Sequence, residues 1–148
     1  MGSLFKKKYT ASAIIDADQQ TVWNILVNQK EYHLWNSFTP KIETDWEIGS
    51  KVKLTVNMKP GKAPILQTEY LARLNPPIVL AWGMNWRGLL KAERIQKLTK
   101  MSDGKTMYFT EDVISGLLCP IVHVLYGKYI QKGFEGIAQS LKKYAETR

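Results

Sequence analysis

The sequence predicts an α+β domain in which a curved antiparallel sheet of six or seven strands wraps round one long C-terminal helix. Three observations carry that expectation. Apolar and polar residues alternate through the middle of the chain, as in Val52, Leu54, Val56 and Met58 set between Lys51, Lys53, Thr55, Asn57 and Lys59, the period of a half-buried strand. Turn residues punctuate these runs at short intervals. Near the C-terminus the period changes: Tyr126, Ile130, Phe134, Ile137, Leu141, Tyr144 and Ala145 recur at helical spacing and mark one apolar stripe.

The elements follow in order. Residues 8–16 are rich in small and β-branched side chains and read as a first strand. Asp18 suits the N-cap of a helix over about 19–28, because its carboxylate can accept from a free N–H of the first turn. That helix buries Val22, Trp23, Ile25 and Leu26 on one face. A short helical turn over Lys30 to Trp35 follows and ends at Asn36-Ser37. After the alternating strand around residue 54, Pro60-Gly61 turns the chain and Ile65 to Leu74 forms the next strand. Asn75-Pro76-Pro77 turns it again. Ile78 to Trp86 is a further strand, with Leu80, Trp82, Met84 and Trp86 on one face. Gly88 marks the next turn. Leu90 to Leu98 and Thr106 to Ser115 pair as a hairpin about Ser102-Asp103-Gly104, since Asp-Gly favours tight hairpin turns. Proline is tolerated only in a first helical turn, so Pro120 places the start of the long helix near 118 and the stripe carries it to about 146. A helix of ~27 residues spans about 40 Å and must lay its stripe along a twisted sheet.

A chain of 148 residues with 45% hydrophobic and 23% charged residues fits one globular domain spanning 1–148. The net charge of +8 invites a nucleic-acid or anionic-membrane partner. The lysines, however, are strung singly along strand and helix faces, which is how solvated faces look. The expectation is therefore no nucleic acid, with membrane contact left open, and a monomer or weak homodimer. Cys119 is the only cysteine, so no intramolecular disulfide can form, and a reducing cytoplasm is the expected setting. No signal-peptide pattern opens the chain, and no apolar run approaches the ~20 residues of a membrane span.

A set of short motifs, each weak alone, occurs in an informative order. They are Ile15-Asp16-Ala17 before Val22-Trp23, the segment Tyr32-His33-Leu34-Trp35-Asn36-Ser37-Phe38, and Ile48-Gly49-Ser50. Leu80-Ala81-Trp82, Thr110-Glu111-Asp112-Val113-Ile114-Ser115-Gly116-Leu117 and Gly133-Phe134-Glu135 follow. In this order the chain resembles the SRPBCC (START-like) superfamily of polyketide cyclase/dehydrase-type helix-grip proteins over nearly its whole length. Ser37 stands where the family often has proline. Arg94 and Asp112 align where it often has His and Glu. The resemblance implies a cavity between sheet and helix that takes lipids, polyketides or other apolar molecules. It does not name one, since the fold hosts carriers, cyclases, hydrolases and regulators.

Candidate site residues follow from the faces. Trp35, Phe38, Tyr70, Trp82, Trp86, Tyr108, Tyr126 and Phe134 fall on elements that face inward or rim a mouth. They read either as cavity lining or as ordinary core. Arg94 shares a face with Leu90, Ala92 and Leu98, and an inward arginine is costly unless paired. Asp112 and Thr110 lie within reach across the hairpin. An Arg94–Asp112 pair with Gln96, Thr110 and Tyr108 as neutral partners would orient a ligand's polar group or serve as a structural ion pair. His33 is expected at the surface, and His123 near the mouth without an evident partner. No metal-ligand spacing, hydrolase elbow or phosphate loop is present, so neither metal nor cofactor is expected. The favoured function is non-catalytic binding or carriage of a small apolar ligand (lipid, polyketide or aromatic). The alternatives are a polyketide cyclase, aromatase or dehydratase-type enzyme, and a peripheral membrane lipid or quinone carrier.

Overall fold

The residues that alternate inward along the chain become one concave face. The computed structural model describes residues 3–148. The chain runs β1 (Lys6–Ile15), α1 (Gln19–Val27), a 3-10 helix (Gln29–Leu34), β2 (Lys41–Thr44), β3 (Lys51–Val56), β4 (Ile65–Asn75), β5 (Val79–Trp86), β6 (Leu90–Lys100), β7 (Thr106–Ser115) and α2 (Cys119–Glu146). All seven strands form one sheet in the order β1-β7-β6-β5-β4-β3-β2, with every neighbouring pair antiparallel. The two short helices carry the chain from the β1 edge to the β2 edge, and hairpins then lead it back to β7. β2 had no signal of its own. Only Ile42 is buried in its four residues, too few for alternation to show.

Local chemistry fixes the ends of these elements. Asp18 Oδ1 accepts from the Thr21 N–H at 2.7 Å and caps α1. In the β6–β7 turn Gly104 takes φ +85°, a left-handed conformation that costs glycine little, while Asp103 accepts from the Lys105 N–H. Pro120 stands in the first turn of α2, where its missing N–H is not needed.

α2 presents Ile130, Phe134, Ile137 and Leu141 to the sheet, all of them buried. Each contributes about 1.5–3 kcal/mol of apolar burial. At its C-terminal end α2 packs on α1 and the 3-10 helix. There Trp35 lies buried between the Tyr32 ring, 5.0 Å away, and the stacked Tyr144 ring, 6.4 Å away. Tyr32 donates its hydroxyl hydrogen to the Leu26 carbonyl at 2.6 Å, which satisfies that buried phenol. This end is solid core. The other half of α2 keeps to β1 and leaves a gap over the middle strands.

Candidate functional site

Where α2 stands away from the concave face, a cavity of about 390 Å³ remains, within the usual range for a small-molecule site. Leu54 and Val56 of β3, Trp82 and Met84 of β5, and Val122, Tyr126, Ile130 and Phe134 of α2 make its walls mostly apolar. Phe38, from the segment before β2, closes one side. Its position depends on Gly133, since a Cβ on that residue would overlap the Phe38 ring. The ring also meets Phe134 edge to face at 6.1 Å.

The polar end of the cavity arises from strand register. Leu71, Trp82, Arg94, Asp112 and Tyr9 are successive cross-strand partners over β4, β5, β6, β7 and β1, so they form one row on the concave face. Arg94 does not pair with its neighbour Asp112. Among the described residues the ion pairs are Lys41–Glu43, Lys142–Glu146 and Arg148–Glu31. The guanidinium leans instead toward the adjoining rows. Arg94 Nε donates to Thr110 Oγ1 at 3.1 Å, and Nη2 approaches Gln96 Oε1 at 3.4 Å and the Tyr108 hydroxyl at 3.5 Å. Tyr108 in turn donates to Gln96 Oε1 at 2.6 Å. The guanidinium carbon lies 4.4 Å from the Phe134 ring centroid and 5.8 Å from that of Trp82. Neutral acceptors and aromatic faces thus hold this charge, so the expected Arg94–Asp112 ion pair gives way to a neutral network.

Asp112 is left without a partner. Its Oδ1 is shut off from solvent and accepts no hydrogen bond, while the residue lines the cavity. Burial pushes its carboxyl up to about 7, with Arg94 restraining the rise. Glu69, on the inward face of β4, lines the same cavity. Burial first, and then the Asp112 charge, push Glu69 up to about 8, again against the pull of Arg94. Two carboxyls and one guanidinium therefore share one pocket, and burial raises both acids into the neutral range.

The fold can be compared with solved structures. The Zhui aromatase/cyclase from Streptomyces sp. R1128 superposes with a TM-score of 0.77 at 16% identity, over 97% of this chain and 95% of that one. The di-domain ARO/CYC StfQ from the steffimycin biosynthetic pathway gives 0.76 at 9% identity, over 98% of this chain and 52% of that one. Ara h 8.0201 gives 0.71 at 11% identity, over 97% and 99%. This is the helix-grip fold. No family model and no curated protein matches the sequence. The likeness at these identities is one of fold, as the sequence motifs implied.

The helix-grip geometry sorts the residues singled out from sequence. Phe38, Trp82, Arg94, Asp112, Tyr126 and Phe134 line the cavity. Tyr108 and Thr110 are fully buried one or two rows away and serve as holders of Arg94. Trp35 belongs to the solid core at the far end of α2. Tyr70 is 48% exposed and faces away from the cavity, because fully buried Leu71 sets the inward parity of β4. Trp86 shares the parity of Trp82 but is 52% exposed at the end of β5, beyond the cavity wall. His33 is exposed, as expected. His123 does have a partner: its Nδ1 lies 2.6 Å from the Tyr9 hydroxyl. Glu69 was legible only as the third inward member of Ile65, Gln67, Glu69 and Leu71, and the neighbouring aromatic Tyr70 masked it.

Proposed function

We propose that the protein binds a small, largely apolar molecule in the cavity between sheet and α2. The observation that supports this most directly is the unfilled volume itself, about 390 Å³ walled by Trp82, Ile130, Phe134 and other apolar side chains within an otherwise packed core. Protein interiors rarely leave voids larger than a water molecule, so a space of this size with apolar walls is a site for a guest. A neutral environment-sensitive dye such as Nile red should bind saturably and quench or accept from the tryptophans, Trp82 being part of the wall. The affinity should persist at high salt, because apolar burial is not screened as exposed charge pairing is. A titration without saturation, or binding abolished by salt, would remove the support for this reading.

A catalytic role is the second reading, favoured by one specific observation. Asp112 and Glu69 face the cavity with pKa values near 7 and 8, which suits proton transfer at neutral pH. This is the polyketide cyclase, aromatase or dehydratase alternative. Turnover of a bound poly-ketone that is lost in both Asp112→Asn and Glu69→Gln would favour it over simple carriage.

A further inference from the structure

We infer that the guest carries a protonated amine, received by the Asp112 and Glu69 carboxyls at the polar end of the cavity. The inference rests on the proposed apolar binding and specifies its chemistry. Arg94 first suggests an acidic guest, but its Nε and Nη2 already donate to Thr110, Gln96 and Tyr108, and its guanidinium carbon lies 4.4 Å from the Phe134 ring centroid. Among the buried side-chain atoms of the described residues, the one left without a partner is an acceptor. Among the described residues no side-chain hydrogen bond or ion pair engages Asp112 or Glu69, and Asp112 Oδ1 is a buried orphan. Buried polar atoms are almost always satisfied, so a guest that completes this site brings hydrogen-bond donors.

Charge decides between donors. Burial raises both carboxyls into the neutral range, so the guest decides whether they ionise. A carboxylate guest would hold them protonated, and an alcohol would leave them as they are. An ammonium lets both ionise, joins Arg94 in balancing them, and supplies up to three donors. Aromatic rings of the same wall already hold cations, Trp82 and Phe134 that of Arg94 and Tyr126 that of Lys59, and Phe38 adds a further ring. The raised pKa values agree: burial disfavours both carboxylates and Arg94 alone does not offset it, so a guest cation would stabilise their ionised forms. Other charged or titratable groups near Asp112 are Arg94 on β6, Tyr9 on β1 and, through Tyr9, His123 and Cys119 on α2. None of these besides Arg94 offers a positive charge that already answers the two acids.

The test is displacement of bound Nile red by decylamine, decan-1-ol and decanoate near neutral pH. The three share a chain and differ only in the head group. Decylamine is expected to bind at least tenfold more tightly than decanoate. The surface carries a net charge of +8, so non-specific attraction favours decanoate, and a preference for the amine must come from the cavity. In Asp112→Asn and Glu69→Gln the ratio of decylamine to decan-1-ol affinity should fall about tenfold each. Both changes are near-isosteric and remove a buried acid, so the variants should fold, which thermal melts verify. Decanoate binding as tightly as decylamine, or an amine preference that survives the double variant, would overturn the inference while leaving apolar binding intact. Failure of Nile red itself to bind would overturn the cavity reading, and this inference with it.

Discussion

Arg94 shows how a buried charge is held without a counter-ion. The residue is only 8% exposed, yet its hydrogen bonds go to a hydroxyl, an amide and a phenol. Arg94→Met would leave Gln96 and Thr110 short of a donor and remove the only cation facing two acids. We expect a loss of about 2–4 kcal/mol of stability in urea unfolding. A loss below about 1 kcal/mol would mean that the side chain reaches solvent. The acids give a prediction of opposite sign. Asp112 and Glu69 have folded pKa values above their unfolded ones, so the fold favours their neutral forms. Their contribution is complete below the unfolded values, near pH 4, and is lost as pH rises through about 7 and then about 8. Asp112→Asn should therefore stabilise the protein at about pH 8 more than at about pH 5, by on the order of 2 kcal/mol. Parallel melting profiles of variant and wild type across that range would show that Asp112 is ionised without penalty. At this scale the sequence was only partly readable. Parity pointed Arg94 and Asp112 inward, but which way a long side chain leans depends on rows two residues away, and no period encodes that.

Elements were the most readable level. The stripe from Ile130 to Leu141 faces the sheet because three-and-four spacing admits no other docking of an amphipathic helix. Less readable was where a helix stands off. Trp35 and Phe38 lie three residues apart in one segment, yet one fills solid core and the other closes the cavity. The difference comes from their partners on α2, Tyr144 for Trp35 and the bare backbone at Gly133 for Phe38. Gly133→Ala tests this. Alanine favours a helix interior by about 1 kcal/mol over glycine, but here its methyl would collide with the Phe38 ring. We expect a net destabilisation of about 1–2 kcal/mol and weaker dye binding. A more stable variant with unchanged binding would show that Phe38 moves aside freely and is no fixed wall. On β4 the placement of Tyr70 differs from the sequence expectation. Ile65, Gln67, Glu69 and Leu71 share the inward parity up to the register shift between Leu71 and Arg73, and with polar residues on both faces that parity is hard to read from sequence.

For the whole molecule, hairpin order and one terminal helix were enough to predict the architecture, whereas a void has no residues of its own to read. The proposed binding depends on the void between sheet and α2. Ala92 offers the most direct measurement: it lines the cavity from β6, on the same face as Arg94 and one row from it. Phenylalanine there would project into the empty volume. If the account is right, Ala92→Phe buries its ring at a stability change between zero and a gain of about 2 kcal/mol, and Nile red binding is lost. If Ala92→Phe instead destabilises by about 1–3 kcal/mol, the cost of overpacking a filled core, and the dye binds as before, then the interior is closed and the guest lies elsewhere.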